Sequence, residues 1–109
     1  MVPNFEKYTY KVTWSEDDGE FLGLCVEFPG LSWLAETSEE TLKGIHSVVK
    51  ICIEDMLEND ESVPLPVSLR HYSGKFMVRI PPDVHRNLAL EAIETGVSLN
   101  RIASAKLAH

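Results

Sequence analysis

The sequence has little cysteine and no long hydrophobic run. Its two cysteines, Cys25 and Cys52, have apolar neighbours and form no CxxC motif, so we expect two reduced, buried thiols. The four histidines lack the spacing that a metal site prefers, and we predict no structural metal and no cofactor. Because the apolar stretches are short and no basic region precedes one at the N-terminus, we expect a cytoplasmic protein without a secretory signal or membrane segment.

Basic residues are also scarce, and they are distributed unevenly along the 109 residues. Residues 1–72 contain five Lys and Arg against fourteen Asp and Glu, a net charge of −9, whereas residues 73–109 contain five against three. An acidic front repels nucleic acid and suits a basic partner, and a mildly basic tail can approach phosphates. We therefore predict two domains, 1–72 and 73–109, joined at a hinge at Ser73-Gly74.

Three segments of the front domain have the pattern of β-strands. In Tyr8–Trp14, aromatic and β-branched residues alternate with polar ones, which predicts a half-exposed strand. The acidic segment Ser15–Gly19 predicts a turn, and Phe21–Val26, apolar on both faces, predicts a central strand. A Phe-Pro-Gly break follows, and Leu31–Glu36 is the expected third strand.

A long amphipathic helix is expected next. Thr37 and Glu40 have the spacing of a capping box, in which the Thr37 hydroxyl accepts a hydrogen bond from the Glu40 N–H and the Glu40 carboxylate reaches back to the Thr37 N–H. Asn59–Glu61 and the prolines beyond it end the helix. Val67–Tyr72 is predicted as a fourth strand, which makes the front domain β-β-β-α-β in an α+β protein. The apolar stripe of the helix consists of Leu42, Ile45, Val49, Cys52, Ile53 and Met56.

The tail has the pattern of one strand and two helices. Lys75–Ile80 alternates, Pro81-Pro82-Asp83 favours a helix start, Gly96 suits the end of that helix, and Ser98 can cap the next one. A lone strand with two short helices cannot close a core, so we expect two copies to pair through antiparallel strands. The predicted dimer core consists of Phe76, Val78, Ile80, Leu88 and Ile102.

The polar face of the paired strands is the predicted DNA-binding surface, because a two-stranded ribbon fits the major groove of B-DNA. Lysine and arginine suit guanine edges or phosphates, and methionine suits a thymine methyl group. The N-terminus of the second helix offers free N–H groups to a phosphate. The predicted DNA-binding residues are Lys75, Met77 and Arg79 on the ribbon, with Ser98, Leu99 and Asn100 at the helix.

The order of these parts in Lys75–Leu107 resembles the ribbon-helix-helix family, which includes repressors of the Arc and MetJ type. The whole chain resembles a narrower group, the HicB family of antitoxins. Phe28–Leu31 and Thr37–Leu42, followed by a long helix and a proline-bearing exit, are similar to its N-terminal domain. Phe76–His85 with Gly96–Asn100 is similar to its ribbon-helix-helix variant.

The resemblance implies a division of labour between the domains. The front domain would have a partial RNase H-like fold and mask a small, basic, mRNA-cleaving toxin of the HicA type. The tail would bind operator DNA, as a homodimer or a dimer of dimers, and repress the operon of the pair. Gly44 departs from the family, which usually has alanine there, and lowers helix stability by roughly 1 kcal/mol.

Two other functions compete with this one. A ribbon-helix-helix repressor whose front domain senses a small ligand would share the tail, but the front domain has no metal-type cluster and no phosphate loop. An RNase H-like nuclease needs a metal-binding carboxylate within its first strand, and Tyr8–Trp14 contains none. Glu16–Asp18 lie in a turn and Glu27 has no obvious partner, so we expect no enzymatic activity.

Overall fold

The computed structural model describes residues 4–108 and divides the chain into two compact units, Met1–Tyr72 and Ser73–His109, here called the front unit and the tail unit. The fold is α+β, with a three-stranded antiparallel sheet followed by helices. Short 3-10 helices lie at Phe5–Lys7 and Val67–Leu69. The strands and longer helices are β1 (Tyr10–Ser15), β2 (Glu20–Cys25), β3 (Ser32–Ala35), α1 (Ser38–Glu58), α2 (Pro82–Thr95) and α3 (Leu99–Leu107).

The sheet consists of two consecutive antiparallel hairpins, in the order β1-β2-β3. β2 is the central strand, which agrees with its apolar character on both faces. The turn between β1 and β2 ends at Gly19, which has a φ of 64° and donates its N–H to the Ser15 carbonyl oxygen at 2.9 Å. Glycine adopts this left-handed conformation without strain, so the predicted turn is confirmed.

Helix α1 covers one face of the sheet and forms the core with it. The Thr37 hydroxyl accepts a hydrogen bond from the Glu40 N–H at 3.1 Å, which confirms this half of the capping prediction. The Glu40 carboxylate forms no return bond to the Thr37 N–H in the described structure. Ile45, Val49 and Ile53 recur at helical spacing and are almost fully buried. Each such side chain stabilises the fold by about 1.5–3 kcal/mol through burial. The other buried members of this core are Tyr8, Cys25 and Phe28.

The predicted fourth strand, Val67–Tyr72, is wrong. Val67–Leu69 form a 3-10 helix, and the front unit is therefore β-β-β-α followed by an irregular segment. Hydrogen bonds of side chains, and not a strand ladder, hold this irregular segment in place. The Glu27 carboxylate accepts the Val67 N–H at 2.9 Å, and the Ser68 hydroxyl donates to the Lys7 carbonyl oxygen at 2.9 Å.

The two helices of the tail unit begin and end where the sequence predicts. Pro82 is the first residue of α2, and Gly96 ends that helix with a φ of 70°. The Ser98 hydroxyl caps α3 by accepting the Arg101 N–H at 3.2 Å. By contrast, residues 75–80 form no strand within the single chain, because no other segment of the described chain pairs with them.

Candidate functional site

The segment of residues 75–80 is exposed along its whole length. Phe76 is 77% exposed, Val78 55% and Ile80 39%, although all three were predicted to lie in a dimer core. The single chain therefore leaves these apolar side chains open to solvent. The side chains predicted to contact DNA, Lys75, Met77 and Arg79, are exposed as well.

Helices α2 and α3 pack against each other around Ile102, the one buried apolar side chain among the described residues of the tail unit. Leu88, the other predicted core residue on the helices, is half-buried. Glu91 and Lys106 form an ion pair at 3.3 Å between the helices. Leu107, the last residue of α3, is 69% exposed. A core with a single buried residue is too small to stabilise a domain, which agrees with the expectation that the tail unit associates.

At the N-terminus of α3, one backbone N–H group of the first turn is bound by the capping residue and two are free. The Ser98 hydroxyl takes the Arg101 N–H, and the Ser98 carbonyl oxygen accepts the Ile102 N–H at 3.1 Å. The N–H groups of Leu99 and Asn100 belong to the first turn and have no helical acceptor there. These are the two donors that the phosphate-binding prediction requires.

The acidic residues of the β1–β2 turn are engaged locally. The Asp18 carboxylate accepts the Ser15 hydroxyl at 2.7 Å, and the Glu16 carboxylate accepts the Trp14 indole N–H. Such contacts are ordinary turn chemistry. Within residues 4–108, no three His, Cys, Asp or Glu side chains form a group suited to a metal ion.

Glu27, which has no obvious partner in the sequence, has four donors in the structure, one of which is the Cys25 thiol at 3.7 Å. Its carboxylate accepts the Thr9 N–H at 3.0 Å, the Thr9 hydroxyl at 3.1 Å and the Val67 N–H at 2.9 Å. Burial acts to raise the pKa of Glu27, but the hydrogen bonds from Val67 and Thr9 outweigh it, and the pKa is lowered. Glu27 therefore joins the start of β1 to the segment after α1, and its role is structural.

Gly44 has a packing partner that the sequence does not reveal. A β-carbon built at this position would lie 2.0 Å from Nε1 and 2.1 Å from Cδ1 of Trp33. The indole of β3 therefore lies directly on the backbone of α1. This contact explains why α1 contains a glycine despite the cost to helix stability.

The two cysteines are free, as predicted. Cys25 is buried, whereas Cys52 is half-buried and not fully buried as expected. Burial raises the pKa of both thiols. Both cysteines are therefore mainly packing residues.

An acidic front unit and a tail unit with exposed apolar side chains are typical of a protein that acts by binding partners. None of the helices in residues 4–108 combines the length and the hydropathy that a membrane span needs.

Residues 58–107 match the model of the HicB family. The match runs from the end of α1 through α3, and it covers less than half of the chain.

In residues 58–107 the chain is therefore similar to the HicB family, whose members are generally antitoxins of toxin–antitoxin pairs. The matched range lies mostly in the tail unit and includes every residue predicted to contact DNA or to form the dimer core. No curated protein and no solved structure matches the chain.

Proposed function

We propose that this protein is the antitoxin of a type II toxin–antitoxin pair. Its front unit masks a small, basic, mRNA-cleaving toxin of the HicA type through a partial RNase H-like fold. Its tail unit binds operator DNA and represses the operon of the pair. The observation that carries the proposal is the match of residues 58–107 to the HicB family.

Operator binding requires the tail units of two chains to pair. Antiparallel pairing of two copies of residues 75–80 would complete a ribbon and cover the apolar side chains that the single chain exposes. The four helices of a dimer would lie on the apolar side of this ribbon. Lys75, Met77 and Arg79 would then occur twice on the opposite side, within reach of base edges in the major groove.

Phosphate contacts would orient the ribbon on the operator. The free N–H groups of Leu99 and Asn100 lie at the positive end of the α3 dipole, which favours a phosphate oxygen. Such contacts fix register and contribute to affinity without reading the sequence, whereas the ribbon side chains supply specificity. Dimerisation doubles both sets of contacts.

Masking of the toxin is assigned to the front unit because of its charge. It carries fourteen acidic side chains against five basic ones, whereas a ribonuclease that binds RNA phosphates carries a basic surface. Electrostatic complementarity of this kind accelerates association and disfavours wrong partners. The same charge keeps the front unit away from DNA.

The test uses the full chain and the small basic protein encoded by the adjacent reading frame. Co-expression should restore growth that the basic protein alone arrests, and the chain should retard DNA from upstream of the two genes in a mobility-shift titration at fixed salt. Arg79→Ala is the matched control, since it should weaken DNA binding and leave the growth rescue intact. A chain that neither rescues growth nor binds this DNA would refute the proposal.

A further inference from the structure

Strand β3 is an edge strand with no partner on its outer side among the described residues. The Val26 N–H donates to the Thr9 carbonyl oxygen at 2.9 Å, which continues the register of β1 and β2. Hydrogen-bonded and non-hydrogen-bonded pairs alternate along an antiparallel ladder. The odd-numbered residues of β2 therefore bond to β3.

In the β2–β3 register, Gly23 lies opposite Trp33 and Leu22 opposite Leu34. The alternation therefore makes Trp33 a residue that bonds to β2. Ser32 and Leu34 consequently direct their N–H and C=O groups outward. These groups form an unsatisfied row along β3, available to another extended segment.

The side chains of β3 offer apolar surface on both faces of the sheet. Trp33 is 43% exposed and lies on Gly44 of α1, and Leu34 is 41% exposed on the opposite face, beside Leu22. Between β3 and α1 there is an open groove of about 460 Å³. Its lining includes Trp33, Leu34, Glu40, Lys43, Gly44 and Ser47.

The two edges of the sheet differ in how they are protected against pairing. β1 has a charged residue, Lys11, within the strand, and a lysine on an edge discourages pairing with another chain. β3 has the sequence Ser-Trp-Leu-Ala, with neither a charge nor a proline. The edge that lacks protection is also the edge that borders the groove.

We propose that the open edge of β3 and the groove beside it are the docking site for an extended segment of a basic partner protein, which adds a fourth strand to the sheet. The inference rests on the proposed function, since that partner is the toxin. Side chains of the added strand would alternate between Trp33 in the groove and Leu34 on the open face. The partner's segment therefore has apolar residues at alternate positions and positive charge at one end.

Charge determines which occupant the site fits. Glu40 and Lys43 are the charged residues that line the groove, and Glu36 and Glu39 lie next to it in sequence, between β3 and the first turn of α1. A second copy of the chain would bring two front units of net charge −9 edge to edge, which is unfavourable. A basic segment instead neutralises this end of the groove.

The experiment measures binding of the full chain to the purified basic protein encoded by the adjacent reading frame. Leu34→Pro removes one outward N–H and no bond to β2, and proline is tolerated where the N–H of an edge strand faces solvent. Leu34→Ala is the matched control, because it shortens the same side chain and keeps the N–H. We expect affinity to fall with both variants, because both lose the Leu34 side chain, and to fall about tenfold further with proline, which also removes the N–H.

Hydrogen exchange on the unsubstituted chain provides a second measurement that does not depend on folding of the proline variant. Binding should slow exchange of the Ser32 and Leu34 amides and leave that of Val12 on the β1 edge unchanged. Equal affinity of the two Leu34 variants, or no slowing at Leu34 in a complex that forms, would overturn the docking edge alone. Absence of any complex with the unsubstituted chain would overturn the proposed function and the docking edge together. A change in self-association with unaltered partner binding would assign the edge to a second copy and overturn the stated occupant.

Discussion

Replacing Gly44 by alanine should destabilise the front unit, although alanine is the better helix former. The substitution itself favours the helix by about 1 kcal/mol. A β-carbon at position 44 would, however, lie 2.0 Å from Nε1 of Trp33, so the indole must leave its site. Trp33 is 43% exposed, and loss of the contact area of its covered part, roughly 100 Å², costs about 2–3 kcal/mol. The net destabilisation should be about 1–2 kcal/mol.

A double-mutant cycle tests this reasoning, because the sign of the effect should reverse without the indole. In a Trp33→Ala background, Gly44→Ala should stabilise the front unit by about 1 kcal/mol. Urea unfolding followed by far-UV circular dichroism measures all four proteins. Gly30→Ala is the control, since a β-carbon there meets no atom within 4 Å and the change in stability should be small. Equal stabilisation by Gly44→Ala in both backgrounds would refute the proposed contact.

Three further outcomes are expected. Arg79→Ala should weaken operator binding by roughly 1–3 kcal/mol per site without lowering the melting temperature, and unchanged affinity in a mobility-shift titration would show that another surface reads the DNA. Val78→Asp should abolish dimerisation and DNA binding by placing a carboxylate in the shared core, whereas sedimentation as the wild-type oligomer would contradict that core. Because folding lowers the pKa of Glu27, its contribution to the free energy of unfolding should be present above the unfolded pKa and be lost as pH falls through the folded pKa. Glu27→Gln should remove this part of the pH dependence, and identical pH profiles for the two proteins would argue against the carboxylate's role.

Local sequence signals predicted most of the regular structure. Helix caps and glycines with positive φ act within one turn of the chain, so the adjacent sequence is enough to predict them. The examples are the caps Thr37 and Ser98 and the glycines Gly19 and Gly96. The prediction for Val67–Tyr72 failed because its apolar alternation is compatible with a strand. Its conformation depends on a hydrogen bond to Glu27, forty residues earlier in the chain.

Long-range contacts also limited prediction of the candidate sites. A glycine within an otherwise helical pattern indicates a close contact, but only the structure shows that Trp33 is the neighbour of Gly44. β3 has a free edge because no fourth strand pairs with it among the described residues. The sequence instead predicted a fourth strand, so it did not reveal this edge. The exposure of Phe76 and Val78 agrees with the predicted dimer, yet their pairing involves two chains and remains a prediction.

The unpaired state of residues 75–80 has a consequence for gene dosage. If the ribbon exists only between two chains, the concentration of DNA-binding dimer rises with the square of the free chain concentration while most of the protein is monomeric. A twofold fall in synthesis would then lower the dimer concentration about fourfold. Operator occupancy would follow the dimer, so expression of the pair would resume more sharply than one-to-one binding allows.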